Sequence, residues 1–258
     1  MKIATWNVNS LRTRLDHVLN WWDAQQPDVL CLQETKVMDE NFPTAPFAER
    51  GLHIAINGQK SYNGVATLSR HPIEKTVKGL PDASVNGQAR VLTTRINNMH
   101  IINVYMPQGG DIESEKFQYK RSMYQALHDY LTTHFSPKDP LVLCGDMNIA
   151  HTDKDVDDPA KRSGNTMFTA EEHQWLARLT DWGLQDAFRL VSDEAGVFSW
   201  WDYRQLAFQK NRGMRIDMLY TSPPLHNKVQ DVTHHRPERK KQKPSDHIPV
   251  VLTLADIL

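Results

Sequence analysis

Leu141-Val-Leu-Cys-Gly-Asp-Met-Asn148 decides the fold: four apolar residues run straight into a polar tip, with Pro140 just before them. A short apolar run bounded in this way predicts a central strand covered on both faces. Gly145 then lets the backbone bend or approach a ligand without a Cβ in the way. Asp146 and Asn148 stand at i and i+2, so on extended chain they share a face. A carboxylate beside an amide suits a water or phosphate oxygen held between a proton acceptor and a donor. The alternative is an ordinary turn, since Gly, Asp and Asn are common turn formers.

Around this strand the chain continues the theme. Lys2–Val8 predicts a strand ending near Asn7 and Asn9. Leu11, Leu15, Val18, Leu19 and Trp22 lie on one helical face, which predicts a helix over Leu11–Gln26 with Ser10 as N-cap and Pro27 as its stop. Asp28–Gln33 is a second buried strand that delivers Glu34. Strand, helix, strand in so short a span has the size of a βαβ-type unit. His53–Ile56 and Val65–Ser69 flank two Asn-Gly pairs, and Asn97-Asn98 predicts a tight hairpin joining Arg90–Ile96 to Met99–Met106. A polar helix is expected over Glu113–Phe135, and Thr169-Ala-Glu-Glu172 is a capping box opening another that runs to about Trp182. Strands are expected at Arg215–Thr221, Lys228–His234 and Val250–Leu254. Ile149–Thr166 reads as a solvated loop. Its Asp153, Asp155 and Asp157 imitate a calcium loop that fails at the sixth and twelfth positions, Asp158 and Gly164.

The chain has 258 residues, 40% hydrophobic and 24% charged, with no linker or composition break. This predicts one α/β domain over residues 1–258. Formal net charge is −1, so any polyanion-binding surface must come from segregated charge. The two cysteines, Cys31 and Cys144, both sit in apolar runs and read as buried small hydrophobes in a reducing compartment. With no signal-peptide pattern or spanning segment, a cytoplasmic location is expected.

Apolar strands ending in polar groups deliver Asn7, Glu34, Tyr105, Asp146 with Asn148, and Asp246 with His247. Asp217 lies inside an apolar strand pattern, where a carboxylate is costly unless paired. His247 is a suitable partner, its ring held by the Asp in one tautomer and supported as an imidazolium. Singly, each has an alternative: Asn7 a turn cap, Glu34 a surface charge, Tyr105 a core tyrosine, Asp217 half of a structural ion pair. Gathered, they make a hard, oxygen-rich site that prefers Mg²⁺ or Mn²⁺. Zinc is disfavoured, and HExxH, CxxC, Walker and Gly-x-Ser-x-Gly patterns are absent.

Thr5-Trp-Asn-Val-Asn-Ser-Leu-Arg12, Leu32-Gln-Glu-Thr-Lys36, Asn63-Gly-Val-Ala66, Asn103-Val-Tyr-Met-Pro-Gln-Gly109, Gly145-Asp-Met-Asn-Ile-Ala150, Phe198-Ser-Trp-Trp-Asp-Tyr-Arg204, Asn211-Arg-Gly-Met-Arg-Ile-Asp217 and Lys243-Pro-Ser-Asp-His-Ile-Pro249 follow in order. Together they resemble the motifs of bacterial exonuclease III, of the exonuclease–endonuclease–phosphatase superfamily. The resemblance implies a four-layer α/β/β/α sandwich of the DNase I-like kind, two packed mixed sheets flanked by helices. It implies metal-dependent phosphoester hydrolysis on double-stranded DNA by a monomer: 3′→5′ exonuclease, 3′-phosphatase and 3′-end cleaning, and often cleavage at abasic sites. By the same resemblance Glu34 is the main Mg²⁺ ligand, with Asn7 and Asp246 nearby and Mn²⁺ able to substitute. Asp146 positions and deprotonates water, Asn148 helps hold it, and His247, oriented by Asp217, meets the phosphate with Tyr105. Arg90 and Gln108 are expected at the substrate. Trp200, Trp201 and Met214 match an apolar pocket for a sugar without its base.

Two departures bear on that pocket. Met167 stands where relatives that cut abasic sites tend to carry Gly or Ser, and Trp201 where Phe is more usual. Both add bulk, which puts 3′-end processing ahead of internal abasic-site incision. DNA contacts are expected from Arg12, Arg90, Lys116, Lys120 and the basic run from Arg236, with salt-sensitive, sequence-independent binding. Competing readings are a phosphoinositide or sphingomyelin phosphodiesterase, a secreted DNase I-like nuclease, and a non-catalytic DNA-binding relative. Cysteine usage and the missing signal peptide oppose the secreted nuclease, and the aromatic Phe198–Arg204 block favours the DNA-repair branch. Retention of Glu34, Asp146, Asp217, Asp246 and His247 opposes the non-catalytic relative.

Overall fold

Apolar runs set where the strands fall, and alternation along each run sets what the two faces meet. The structure is a computed structural model and describes residues 1–255. Its strands are β1 (Lys2–Asn7), β2 (Val29–Gln33), β3 (His53–Asn57), β4 (Val65–Ser69), β5 (Lys75–Lys78), β6 (Val91–Ile96), β7 (Met99–Tyr105), β8 (Leu141–Asp146), β9 (Gln185–Asp186), β10 (Asp217–Thr221), β11 (Val229–His234) and β12 (Val250–Leu254). The helices are α1 (Leu11–Gln25), α2 (Ala45–Ala48), α3 (Glu115–His134), α4 (Pro159–Arg162), α5 (Ala170–Trp182), α6 (Ala187–Val191) and α7 (Pro223–His226).

Two six-stranded mixed sheets form, in the orders β11-β12-β1-β2-β4-β3 and β5-β6-β7-β8-β10-β9. Each has a parallel pair at its centre, β1 with β2 and β7 with β8. Ile3, Cys31, Val142, Cys144, Leu219 and Leu252 meet in the space between the sheets. The opposite faces point to helices. Trp6, Leu30 and Leu32 pack with Val18, Trp21 and Trp22 of α1. Leu143, Met218 and Tyr220 pack with Tyr124 and Leu127 of α3 and with Trp175 and Leu176 of α5. The order is helix, sheet, sheet, helix, the expected α/β/β/α sandwich. Burial on both faces explains why the central strands read as unbroken apolar runs rather than alternating ones.

Polar ties cross the inter-sheet space near its functional end. Gln33 of β2 donates to Asn103 of β7 at 2.8 Å, and Asn103 donates to the Ala66 carbonyl at 2.9 Å. In β8, Gly145 holds φ +141°, and a Cβ there would lie 1.9 Å from the Val104 carbonyl oxygen. Only glycine fits that crossing.

Some local expectations change. Ser10 precedes α1 but makes no side-chain cap, because its φ of +89° turns it away from capping geometry. The polar helix begins at Glu115, where Ser114 caps the Phe117 amide. The Thr169–Glu172 capping box is formed, and Asn97 and Asn98 take positive φ in the hairpin. The stretch expected as a solvated loop is anchored instead: Asp155 is fully buried, where Arg215 donates to it at 2.8 Å. Among the described residues no helix is long and apolar enough to cross a membrane.

Candidate active site

Strand register does most of the positioning. Asp146, the last residue of β8, stands opposite Tyr105 on one side and Asp217 on the other. Three polar side chains therefore share one end of the second sheet. β1 and β2 end in the first sheet at the same edge of the sandwich, where Asn7 and Glu34 emerge. Asn7 joins the sheets. Its amide nitrogen donates to Glu34 at 2.8 Å and to Asp146 at 2.9 Å. Its oxygen accepts the Asn9 amide at 3.0 Å, so Asn7 bridges the two carboxylates through its nitrogen.

His247 completes the group from the segment before β12. Its Nδ1 lies 2.8 Å from Asp217, and its Nε2 lies 3.7 Å from Asp146. Ser199 accepts the Ile216 and Asp217 amides at 3.0 and 2.9 Å, fixing the start of β10. Ser245 donates to the Asn7 carbonyl at 2.7 Å and accepts the His247 amide. These two serines, and Lys36 paired with Glu34 at 2.9 Å, carry no signal beyond their neighbourhood in the motifs. Their roles depend on contacts far apart in sequence.

Burial and neighbouring charge set the protonation states. Burial lifts the Asp146 carboxyl to about 7, with His247 pulling against it and Asp217 adding to it. Burial disfavours a charged His247, but Asp217 and Asp146 outweigh it and hold the imidazolium to about 10. Burial, then the charges of Glu34 and Asp146, pushes the Tyr105 phenol well above its ordinary value. Tyr105 therefore remains a hydrogen-bond donor. Arg90 lies over its ring at 4.6 Å and donates to its carbonyl at 3.0 Å.

The carboxylate oxygens of Glu34 and Asp146 and the ring nitrogen of His247 lie within 4.8 Å of one another, and with the imidazole charged it is the two carboxylates that can ligate. Two carboxylates drawn together in a buried corner, separated by an amide, are a donor set that fits a hard divalent cation. Asp246 stands slightly apart, accepting from Asn9 and from the Trp200 indole, both at 3.0 Å. Asn148 spends its amide on the Met106 carbonyl at 2.8 Å, while its backbone N–H caps Asp146 at 3.0 Å. Gln108 is exposed beside Tyr105, its amide 3.7 Å from the Met167 sulfur.

Trp200 and Met214 do gather, with Ala150, Val156, Met167, Phe168 and Ile216, in one apolar cluster beside the site. Trp201 does not join them: it is fully buried with Phe198, Ala207 and Ile248, because successive residues of extended chain face opposite ways. Lys120 is also displaced from its expected role. It is buried against Glu172 and unavailable to DNA. A cleft of about 530 Å³ beside Tyr105 carries Arg90, Gln108 and Lys116 on its walls.

The sequence and fold have known counterparts. Exodeoxyribonuclease III of Haemophilus influenzae is 37% identical over 97% of this chain and 98% of its own length. A 3′ phosphatase from Neisseria, solved with product DNA hairpin, superposes with a TM-score of 0.95 at 38% identity, covering 99% of this chain and 100% of that one. An AP endonuclease from Archaeoglobus fulgidus gives a TM-score of 0.94 at 36% identity, covering 98% of this chain and 99% of that one. Residues 4–247 match the model of the Endonuclease/Exonuclease/phosphatase family. On both sequence and architecture, the chain belongs to the endonuclease/exonuclease/phosphatase family.

Proposed function

We propose that this chain is a Mg²⁺-dependent DNA-repair hydrolase that frees 3′ ends on double-stranded DNA. It removes 3′-phosphates and terminal nucleotides, and incises internal abasic sites poorly. The observation that carries this reading is the convergence of Asp146, His247, Asp217 and Glu34 at the joined ends of both sheets. The named activities of the similar proteins support the substrate class.

Asp146, opposite Asp217 and within reach of His247, accepts the proton of the attacking water. The water oxygen bonds to phosphorus as the bond to the 3′ oxygen breaks. His247, kept charged by Asp217, and the Tyr105 hydroxyl stabilise the phosphate oxygens as they gain charge. Glu34 and Asp146 would hold the metal, which when bound neutralises phosphate and leaving-group charge. The apolar cluster around Trp200 and Met214 suits a sugar lacking its base. Met167 fills that space and supports the preference for ends.

The test is one set of reactions, with Mg²⁺ or EDTA, on duplexes bearing a recessed 3′ end, a 3′-phosphate or an internal abasic analogue. Turnover of the first two with Mg²⁺ alone is expected, along with weak incision of the third. Asp146→Asn should lower the rate by about 10²-fold or more. Phosphate release in EDTA, or full activity of D146N, would overturn the reading.

A further inference from the structure

Lys120 in α3 and Glu172 in α5 are both fully buried and face each other. Each is used completely. The Lys120 ammonium donates to Glu172 and to the carbonyls of Gln108 at 3.1 Å and Asn148 at 2.8 Å. One Glu172 oxygen also accepts the Met167 amide at 3.0 Å. The other accepts the amide and hydroxyl of Thr169 at 3.0 and 2.9 Å. Burying two charges costs several kcal/mol per ion before their attraction offsets it, and an apolar pair would pack the helices as well. Packing alone does not account for the pair.

What the pair holds is main chain. Gln108, Asn148 and Met167 lie in three separate loops around the site, outside the regular elements. Asn148 and Met167 have φ of +49° and +77°, conformations that L side chains adopt at a cost. We propose that Lys120 and Glu172 are a positioning pair for the reaction, fixing the Asn148 carbonyl and the Met167 amide against α3 and α5. The proposal rests on the phosphoester-hydrolase reading given above. Neither residue touches the reacting atoms. They act through Asn148, which caps Asp146, and through Met167, which shapes the pocket.

The surface supplies a control. Arg121 and Glu171 join the same two helices one residue along, but exposed. The test compares Lys120→Met/Glu172→Gln with Arg121→Met/Glu171→Gln on a 3′-phosphate duplex with Mg²⁺, each shown folded by cooperative melting. Expected for the buried pair is a fall in kcat of about tenfold or more with KM within about threefold, and no change for the surface pair. The single variant Glu172→Gln keeps an oxygen for Lys120 and should lose about threefold in kcat, which decides the matter if the double variant does not fold. Amide hydrogen exchange at Met167, read without substrate, should quicken about tenfold in the same variant while exchange at Leu143 is unchanged. A folded variant with kcat within twofold of the parent, or with unaltered Met167 exchange, overturns the proposal. If the parent itself releases no phosphate from DNA, the hydrolase reading fails and the exchange measurement alone judges the pair.

Discussion

Met167 puts a long thioether in a backbone conformation that suits glycine. Its φ is +77°, it is buried, and its sulfur lies against Gln108. Met167→Gly relieves the backbone cost and empties the space beside Trp200 and Met214. Incision of an internal abasic duplex should rise about tenfold, with 3′-phosphate removal within about threefold, as measured by product release from the two substrates. Unaltered incision would show that something other than this side chain limits the pocket. His234 gives a second residue-scale outcome. Burial, then the charges of Arg215 and Arg189, lowers its pKa to about 3. The unfolded chain takes up a proton below about 6.5 and the folded chain does not until about 3, so stability is lost as pH falls through that interval. The side chain is half-buried. Discounted for that exposure, the parent should lose about 1 kcal/mol more than His234→Gln between pH 7 and pH 5 in urea titrations.

At the scale of elements, the segment between β8 and α5 is tied down by buried charge in addition to a short bridge of Val156 to Met214. Arg215, 1% exposed, donates to Asp155 at 2.8 Å and to Asp186 at 2.6 Å, and Arg189 joins the same Asp155 oxygen. Arg215→Met strips one partner from each carboxylate and should cost about 3–5 kcal/mol. For a chain of this size that is a melting temperature lower by about 8–15 °C in calorimetry. A loss under 1 kcal/mol would mean that Arg189 alone neutralises Asp155. This network also shows where sequence reading stops. Long amphipathic helices, buried strands and the Asn-Asn hairpin carry their own signal, so α1, α3, α5, β7 and β8 are legible within a few residues. β5 is an edge strand of exposed Lys, Thr and Lys around Val77, with no alternation to read. The five-residue α6 is too short for periodicity. Asp155 looks solvated in sequence because Arg215 lies 60 positions away.

For the molecule as a whole, net charge is −1 and part of the basic charge is spent inside. Arg236 lies over Trp201 and Phe208 and donates to Asn211, while Arg239 lies over Tyr203. Lys241 pairs with Glu238. Of the expected basic run, Lys240 and Lys243 are exposed with no ion-pair partner among the described residues. Lys240→Ala/Lys243→Ala should therefore reduce the salt slope of DNA binding by about 2, at about 0.9 per phosphate contact, without altering the melting temperature. Arg236→Ala should do the reverse, lowering the melting temperature and sparing the slope. Fluorescence anisotropy across a salt series in EDTA, with a thermal melt of each variant, separates the two. The candidate site was legible as a set because its members sit at or near strand ends: Asn7, Tyr105, Asp146 and Asp217 at the ends themselves, Glu34 one residue beyond β2, and His247 three residues before β12. Three details were not: Asn7 as a bridge, Trp201 as core and Lys120 as an internal tie. Each depends on which way a side chain turns once the sheets have met.

β12 comes last among the described strands, yet it lies inside its sheet between β11 and β1. The residue that faces Asp146 and Asp217 arrives three positions before it. His247 therefore cannot meet Asp146 and Asp217, nor can β1 gain its antiparallel neighbour, until this last stretch of chain has been made.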